Sequence, residues 1–579
     1  MRNERTDVLI LGSGGAGLLA ALHAHDANPE LDITVAVKGL LGKCGCTRMV
    51  QGGYNVALAP GDSPERHFMD TIEGGKWLSD QALAWTLVTG AVERVRELEN
   101  EIGCFFDRNR DGTLHQKAFA GQTFDRTVHK GDLTGIEIIN RLAEQVWARK
   151  IGRLEEHRAV ALIPDSSGAR IAGVLLLDVR SGELLFVQAR AVLLATGGGP
   201  TMYRYHTPSG DKSCDGLAMA LRAGLAVRDM EMVQFHPTGL LAGDHTRMTG
   251  TVLEEGLRGA GGYLLNGQME RFMHRYDPRA ERATRDIVSR AIFTEVQEGR
   301  GSEGGGVYIS MAHLDTAEVE RRFKGMVERC RDCGFDLVNE PVEVTPTAHY
   351  MMGGVVFRPD CTTGLAGLYA AGEDTGGVHG ANRLGGNGVA NSTVFGGIAG
   401  ETMASEISDG VEFVQPDGDV LAQASARVMR PLDQPAGDLS EIRRELDGLM
   451  WLHVGIVRDG PGLEQAEDRL LELQRRLDRV GVNGGDRRFN LGWQDWLNLD
   501  SLILVGRVIC ASALARADST GAHYRSDFPQ GGRPDDTFFT TARLDSIGAT
   551  LVANRPVEFS MVSPGGSLLA PSESSPPGS

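Results

Sequence analysis

The chain has 579 residues, several times the size of a common domain, so about two to four domains with sizeable cores are expected. Its 59 Lys and Arg residues stand against 77 Asp and Glu residues, and the net charge of −18 repels phosphate backbones and anionic lipid. Nucleic acid is therefore excluded as an expected partner.

The N-terminal segment has the order of a dinucleotide-binding unit. An apolar strand pattern at residues 7–11 leads into Gly12-Ser13-Gly14-Gly15-Ala16-Gly17, then a helical pattern at residues 18–25 and a second strand at residues 32–37. The first glycine of such a turn permits a tight bend, the second lets the backbone approach a pyrophosphate, and the third lets helix and strand pack closely. This order predicts a bound dinucleotide rather than a flexible turn.

The acid that usually holds a ribose after the second strand is absent. Lys38 occupies that position, which disfavours plain NAD binding. Two later apolar strands end in similar turns, one at Ala195-Thr196-Gly197 and the other, at residues 367–372, directly before Glu373. Glu373 supplies an acid for sugar hydroxyls. Three such segments so far apart predict a nucleotide-binding domain that is interrupted by an insertion.

The expected fold class is α/β. A Rossmann-like domain at residues 1–232 and 346–414 is interrupted by a mixed α+β capping domain at residues 233–345. Residues 415–562 are charged and rich in Leu and Arg, with helical spacing at 442–452 and 463–480, and they predict a helical C-terminal domain. The Ser, Pro and Gly residues of 563–579 predict a disordered tail.

Membrane insertion and secretion are not expected. Residues 499–515 form the longest apolar run near the C-terminus, but Gly506 and Arg507 interrupt it, and it is too broken to span a bilayer. Residues 1–6 are polar and lead directly into the first strand, which leaves no room for a secretory signal. We predict a cytoplasmic protein.

The eight cysteines are scattered through the chain, which fits reduced thiols better than a disulfide framework. Cys330 and Cys333 form a pair that could bind a metal or carry redox equivalents. No second Cys/His pair stands at a zinc spacing, so we predict two ordinary thiols on one helix and no metal site.

Further motifs follow in one order over about 350 residues. They are Gln51-Gly52-Gly53, Gln234-Phe235-His236-Pro237-Thr238-Gly239, Glu255-Gly256-Leu257-Arg258-Gly259, Arg285-Asp286-Ile287-Val288, His349-Tyr350-Met351-Met352-Gly353-Gly354 and His379-Gly380-Ala381-Asn382-Arg383-Leu384-Gly385-Gly386. These segments closely resemble the flavoprotein of the succinate dehydrogenase, fumarate reductase and L-aspartate oxidase family, and residues 519–527 extend the likeness into the predicted helical domain. The resemblance implies an FAD domain, a capping domain hinged over the isoalloxazine, and a substrate held between cap and flavin.

Hydride transfer between flavin N5 and a carbon next to a carboxylate needs a cationic clamp for the carboxylates and a proton donor on the opposite face. The resemblance implies that His236, His349 and Arg383 bind the carboxylates. Arg285 then exchanges the proton, which Glu255 and Arg258 relay. Further predicted substrate contacts are Glu254 and Phe119. The predicted FAD contacts are Gly12, Gly14, Gly15, Ala16, Gly17, Lys38, Gly39, Cys46, Thr47, Gln51, Gly52, Gly53, Thr196, Gly197, Asp215, Glu373, Arg383, Gly388 and Val389.

Three positions depart from the family pattern. Cys46 stands where a flavin-linking histidine is found, so a histidyl link is impossible; we predict non-covalent contact, with a thioether to Cys46 as the alternative. Because covalent attachment raises the flavin potential in this family, the resemblance implies that a free flavin favours double-bond reduction or oxidase chemistry over succinate oxidation. Glu254 replaces a threonine that holds a substrate carboxylate. Either it turns away or pairs with a neighbouring arginine, or the substrate carries an amine or a neutral polar group there. Gly388 replaces a serine, and a small effect is predicted.

The predicted function is FAD-dependent interconversion of a saturated and an unsaturated dicarboxylate, as in fumarate reductase and succinate dehydrogenase. The alternatives are L-aspartate oxidase, or an enzyme of the family that acts on a different carboxylate. Residues 117–126 and 131–135 resemble the reductase and dehydrogenase branch. An iron–sulfur electron-transfer subunit is the expected protein partner, because residues 552–557 are similar to the ending of complex-forming members. The chain itself lacks the cysteine spacing for such a cluster.

Overall fold

The computed structural model describes residues 1–243, 246–483 and 486–569. Its strands are β1 (Arg2–Leu11), β2 (Ile33–Val37), β3 (Tyr54–Asn55), β4 (Gln116–Lys117), β5 (Thr127–Val128), β6 (Gly152–Glu155), β7 (His157–Pro164), β8 (Ile171–Asp178), β9 (Leu184–Leu194), β10 (Val227–Arg228), β11 (Val233–Leu240), β12 (Tyr263–Leu265), β13 (Val307–Ser310), β14 (Val342–Met351), β15 (Gly354–Val355), β16 (Leu368–Ala370), β17 (Phe538–Leu544) and β18 (Thr550–Pro556). Its α-helices are α1 (Gly15–Ala27), α2 (Pro64–Gly74), α3 (Gln81–Asn100), α4 (Thr134–Ala148), α5 (Asp215–Arg222), α6 (Gly256–Gly259), α7 (Arg285–Gln297), α8 (Thr316–Arg322), α9 (Lys324–Asp332), α10 (Asn387–Ser408), α11 (Gly418–Met429), α12 (Leu439–His453), α13 (Gly460–Leu477) and α14 (Leu491–Ala515).

A seven-stranded sheet in the order β6-β2-β1-β9-β8-β7, with β16 beside β9, brings the scattered nucleotide-binding segments together. Strand β1 is parallel to β9 with Leu11 opposite Leu194, and β16 is parallel to β9 with Ala370 opposite the same Leu194. The three strands therefore end at one edge of the sheet. This register brings the glycine-rich turns that follow β1, β9 and β16 to one edge of one sheet.

The central strands are buried on both faces, as a parallel sheet covered by helices requires. Along β1, Val8 and Ile10 pack in one core with α1, α3, α4 and α10. The alternating Leu9 and Leu11 pack in a second core with α5 and the helices α12 to α14. The C-terminal helical region therefore shares its core with the FAD-type domain rather than forming one of its own.

The inserted segment has a separate core and a separate sheet. Strands β11, β14, β13 and β12 form an antiparallel sheet, and α7 packs with it around buried residues such as Leu264, Ile292 and Val344. Strand β11 begins at the predicted boundary, whereas β14 runs past residue 345 to Met351. Because β14 continues into the first domain, the cap is joined to it by ordered backbone on both sides.

The C-terminal region begins as predicted with helices. Helices α11, α12 and α13 each start after an aspartate, Asp417, Asp438 and Asp459, whose carboxylate accepts first-turn N–H groups. The region does not remain helical to its end. Strands β17 and β18 form a hairpin, and β17 pairs with β10, placing Val227 opposite Ala542.

The apolar run at residues 499–515, predicted to be too broken to span a bilayer, belongs to the continuous helix α14. Despite Arg507, the most apolar window of this 25-residue helix has a mean hydropathy of 1.6, so by length and composition the helix could cross a membrane. In the described residues, 89% of that window is buried inside the protein. Its apolar surface is taken up by packing against α12, α13 and β18, as in the core helix of a soluble protein.

The predicted tail is only partly described. Val562 packs beside Phe68 and Ile72, and its main chain bonds to the amide of Gln81. Leu568 and Leu569 lie against the same cluster. Residues 563–569, which composition assigns to a disordered tail, therefore include side chains that pack against the first domain. Residues 570–579 of the predicted tail lie outside the described residues.

Candidate active site

One cavity of about 770 Å³ runs from the glycine turn to the cap. Every predicted cofactor and substrate residue lines it except Gly17, Gly39 and Arg258. Residues separated by up to nearly four hundred positions thus share one chamber, because the strand ends of the central sheet meet the inner face of the cap.

The glycines of the turn are required by close backbone contacts. Gly12 has a φ of +114°, and an added Cβ would lie 2.2 Å from the carbonyl oxygen of Ala195. An added Cβ on Gly17 would lie 2.0 Å from the carbonyl oxygen of Gly12. Gly17 therefore acts in packing, which is why it does not line the cavity. The N-terminus of α1 faces the cavity, where Gly15 N donates to Thr47 Oγ1 at 3.2 Å, an arrangement suited to a diphosphate.

Lys38 follows β2, but its ammonium is used by other parts of the chain. Nζ donates to Asp211 O at 2.7 Å, Ser213 Oγ at 3.1 Å and Asn498 Oδ1 at 2.7 Å, and it lies 3.4 Å from Asp215 Oδ2. Burial lowers the pKa of Lys38 to about 8. Lys38 and Asp215 line the cavity, their charges lie next to each other, and each side chain also bonds to helix α14, through Asn498 and Ser501.

Two neighbouring acids follow β16 and have different surroundings. Glu373 lines the cavity and accepts from Met351 N at 2.9 Å, and burial raises its pKa to about 7. Asp374 accepts from the main-chain N–H groups of Thr196 and Gly197 at 2.5 and 3.1 Å. Asp374 therefore fixes the end of β9, and Glu373 is the acid presented to a bound cofactor.

Cys46 lines the cavity as a protonated thiol. Burial, with the charge of Glu373, raises its pKa to about 12. The thiolate is the nucleophilic form of cysteine. A thiol held in this state is poorly suited to forming a thioether with a flavin.

Arg285, Glu255 and Arg258 form a line that leads away from the cavity. Arg285 Nη2 donates to Glu255 Oε2 at 2.6 Å, and Arg258 Nη2 donates to Glu255 Oε1 at 3.4 Å. Burial acts to raise the pKa of Glu255, but the charges of Arg285 and Arg258 outweigh it and lower the pKa. Arg258 also donates to Glu281 O at 2.6 Å. It lies behind Glu255, outside the cavity wall.

Two imidazoles and a guanidinium line the same end of the cavity. The rings of His236 and His349 lie 5.5 Å apart, and His349 Nδ1 is 2.8 Å from Thr207 Oγ1. Burial and then the charge of Arg285 hold the pKa of both imidazoles well below the usual value, so both are neutral. Arg383 lies over the Tyr350 ring at 4.5 Å, and burial lowers its pKa to about 10.

Glycines make room for the large side chains here. An added Cβ on Gly388 would lie 3.0 Å from Arg383 Nη1, so the absence of a side chain leaves space for the guanidinium. An added Cβ on Gly52 would lie 2.5 Å from Phe119 Cζ, and one on Gly385 would lie 2.9 Å from Phe119 Cδ2. Phe119 is thereby placed between two glycine segments beside Arg285.

Glu254 lies on the cavity wall and is only 7% exposed. The expected neighbouring arginine is not its partner. Lys117 Nζ, from the first domain, lies 3.3 Å from Glu254 Oε1. The carboxylate remains beside the cavity with its charge countered by a lysine across the domain boundary.

Arg329 lines the cavity but carries no sequence signal. It lies on α9 of the cap and donates to Val252 O at 3.0 Å. When the Gln51 amide is oriented with its oxygen toward the guanidinium, Arg329 Nη2 also donates to that oxygen at 3.0 Å. No motif marks Arg329, because packing of the cap against the first domain brings it there. Within the described residues, no group of three His, Cys, Asp or Glu side chains has metal-binding geometry.

The glycine turn, the parallel strand ends and the cavity define a flavin-dependent oxidoreductase. Residues 7–389 match the FAD binding domain family, and residues 443–572 match the fumarate reductase flavoprotein C-terminal family. The chain belongs to the succinate dehydrogenase and fumarate reductase flavoprotein family and binds FAD. This confirms the fold class, the family and the cofactor that the sequence predicts.

Curated relatives match most of the chain. It is 42% identical to one subunit of the fumarate reductase (CoM/CoB) of Methanothermobacter marburgensis, over 90% of this chain and 94% of the relative. It is 36% identical to the 8-methylmenaquinol:fumarate reductase flavoprotein subunit of Wolinella succinogenes, over 94% of this chain and 89% of the relative. Among solved structures, a mutant of the E. coli quinol fumarate reductase flavoprotein superposes with a TM-score of 0.91 at 32% identity, covering 97% of this chain and 98% of that chain.

Proposed function

We propose that the protein is the flavoprotein subunit of a fumarate-reductase-type enzyme that adds hydrogen across the double bond of a small unsaturated dicarboxylate. The observation that carries this proposal is one cavity shared by the glycine turn and by Arg285, His349 and Arg383. FAD held in this cavity would, once reduced, supply a hydride from N5. Fumarate reductase relatives at 32 to 42% identity favour this function over L-aspartate oxidase.

Arg383 and the imidazoles bind and orient the substrate carboxylates. A guanidinium offers two parallel N–H donors that match a carboxylate. Neutral His236 and His349 can each donate one further N–H without adding charge. Because these donors withdraw electron density from the carboxylate, the adjacent double-bond carbon becomes a better hydride acceptor.

Arg285 protonates the other carbon of the double bond. A guanidinium has a pKa above about 12, but a carbon that has gained an electron pair is more basic still. Glu255, ionised between two arginines, lies 2.6 Å from Arg285 Nη2 and can return the proton. Arg258 lies on the side of Glu255 that faces away from the cavity. The proton route therefore runs from Arg258 through Glu255 to Arg285.

Glu254 sets the preference at the distal end of the substrate. Its carboxylate repels a second substrate carboxylate, while Lys117 at 3.3 Å reduces that repulsion. The pair therefore admits a dicarboxylate at a cost in affinity. A substrate with a neutral polar group at that end avoids this cost.

Replacing Glu254 with threonine should lower the KM for fumarate by about tenfold, since about 1.4 kcal/mol of repulsion corresponds to that factor. Lys117→Met should raise the KM, because it leaves Glu254 unpaired. The double variant Lys117→Met/Glu254→Thr shows whether the two side chains act as a pair. Steady-state kinetics with fumarate and its monoamide measure the effect. An unchanged KM and an unchanged preference between the two substrates in Glu254→Thr would exclude this role.

Electrons reach the flavin from an iron–sulfur subunit. The chain aligns over nearly its whole length with flavoprotein subunits of multi-subunit reductases. Those relatives are named after different donors, CoM/CoB in one case and 8-methylmenaquinol in another. Similar flavoprotein subunits therefore occur with different electron donors, and we infer that the other subunits determine which donor is used. The cytoplasmic location remains a prediction.

Acid precipitation of the purified yellow protein tests how the flavin is held. We expect the flavin to leave with the supernatant, because the Cys46 thiol is protonated. The same preparation is assayed with fumarate, succinate and aspartate. Reduction of fumarate with an artificial donor should be faster than oxidation of succinate. Equal rates would contradict the proposed direction, and oxygen-dependent peroxide release with aspartate would contradict the proposed function.

A further inference from the structure

Lys212 reaches the cofactor end of the cavity from the loop between β9 and α5, where no motif predicts it. Its Nζ donates to Thr196 O at 2.9 Å, and the residue lines the cavity. An added Cβ on Gly45 would lie 3.8 Å from Nζ, and one on Gly197 would lie 3.6 Å from it. The side chain therefore ends between the loop that contains Cys46 and the turn after β9.

The ammonium of Lys212 is charged and has unused donors. The hydrogen bonds among the described residues take one of its three N–H groups. Burial acts to lower its pKa, but the acidic groups around it, among them Asp211 and Asp374, raise the pKa above the usual value. A half-buried ammonium with free donors gains free energy when an anion pairs with it.

The other cations at this end of the cavity either bond within the protein or are exposed to solvent. Lys38 and Arg158 both bond to Asp215 and Ser213. Arg48 donates to Gly42 O and Asn140 Oδ1, both at 3.1 Å. Lys43 is exposed to solvent. Lys212 lines the cavity at this end with two N–H donors that no described residue accepts.

Lys212 lies on the same side of the cavity as the glycine turn, where a diphosphate is expected. Thr196, which accepts from Lys212, lies beside Gly12, since an added Cβ on Gly12 would be 3.1 Å from Thr196 Cα. The N-terminus of α1 begins at Gly15 on the same side of the cavity. A helix N-terminus carries about half a positive charge, whereas a diphosphate carries two negative charges. About 1.5 negative charges remain, and one full cation offsets the larger part of them.

We propose that Lys212 pairs with the diphosphate of FAD and holds the cofactor in place without a covalent bond. Helix α1 supplies main-chain N–H groups from one side, and Lys212 supplies a charged donor from the other. The proposed contact requires only that FAD binds, so it holds whichever substrate the enzyme uses.

The Lys212→Met variant tests this pairing. The full-length protein is freed of flavin by dialysis against potassium bromide, and FAD or riboflavin is then titrated into it. The Kd for FAD should rise by about 10- to 100-fold, the loss expected for one charge-assisted hydrogen bond. Riboflavin lacks phosphate and should bind Lys212→Met and the unaltered protein equally. Lys212→Arg should restore most of the affinity for FAD.

Lys43→Met is the matched control, because Lys43 lines the same cavity but is exposed. Its affinity for FAD should be unchanged. The midpoint potential of Lys212→Met saturated with FAD should also be unchanged, because the lysine acts on the diphosphate. Equal weakening of FAD and riboflavin binding, or a shifted potential, would place Lys212 at the flavin ring and overturn the proposal. An unchanged Kd for FAD would overturn it too.

Discussion

Replacing Arg285 with glutamine should slow the reduction of fumarate by about 100- to 10,000-fold, the range contributed by a positioned proton donor. Glutamine cannot supply the proton, and it leaves Glu255 without its 2.6 Å partner. The glycine turn lies at the other end of the cavity, so the FAD content should not change. Stopped-flow reoxidation of the reduced protein by fumarate measures the rate.

Arg282→Gln is the matched control for Arg285→Gln. Arg282 lies three residues earlier on the same segment and is exposed, with one long contact of 3.5 Å to Gly259 O. Its activity should equal that of the unaltered protein. If Arg285→Gln kept more than about a tenth of the activity, Arg285 would be a binding residue and the proton would come from another group.

Replacing Arg383 with methionine should raise the KM for fumarate by at least about 30-fold. Loss of one member of a buried charge pair costs about 2–5 kcal/mol, and the lower limit corresponds to this factor. Methionine preserves the length of the side chain over Tyr350 but removes the charge. Initial rates over a range of fumarate concentrations separate KM from kcat.

Arg358→Met controls for the loss of an arginine in the same part of the chain, because Arg358 is exposed. Its KM should be unchanged. Dithionite should reduce the flavin of Arg383→Met as fast as that of the unaltered protein, since this reaction needs no carboxylate clamp. A normal KM with a reduced kcat would show that Arg383 is not a carboxylate ligand.

The local geometry of the cofactor turn could be read directly from the sequence. Strand β1, the turn and helix α1 are consecutive in the chain, and the glycines at positions 12 and 17 are required by close contacts with neighbouring backbone. Short-range sterics decide such a structure, so spacing alone predicts it. The motifs around residues 236, 255, 285, 349 and 383 were likewise recognised, because their residues recur in a fixed order.

Contacts between distant segments could not be predicted in this way. Lys38 and Asp215 are predicted as cofactor contacts and both line the cavity, but no sequence pattern indicates the bond from Lys38 to Asn498 on α14. The hairpin of β17 and β18 was assigned to a helical domain, because short strands with mixed polar residues lack a strong alternation. Its pairing with β10 depends on where the rest of the chain places that strand.

The sequence by itself determined the α/β fold class, the family and the cofactor, and it predicts a carboxylate clamp and a flavin that is not linked through histidine. These properties depend on residue type and order. Only the tertiary structure decided that Lys117 is the partner of Glu254, that Arg329 lines the cavity and that Lys212 faces the cofactor end of it. Each of these contacts joins segments that are far apart in the chain. Long-range packing brings such segments together, and local residue spacing does not predict it.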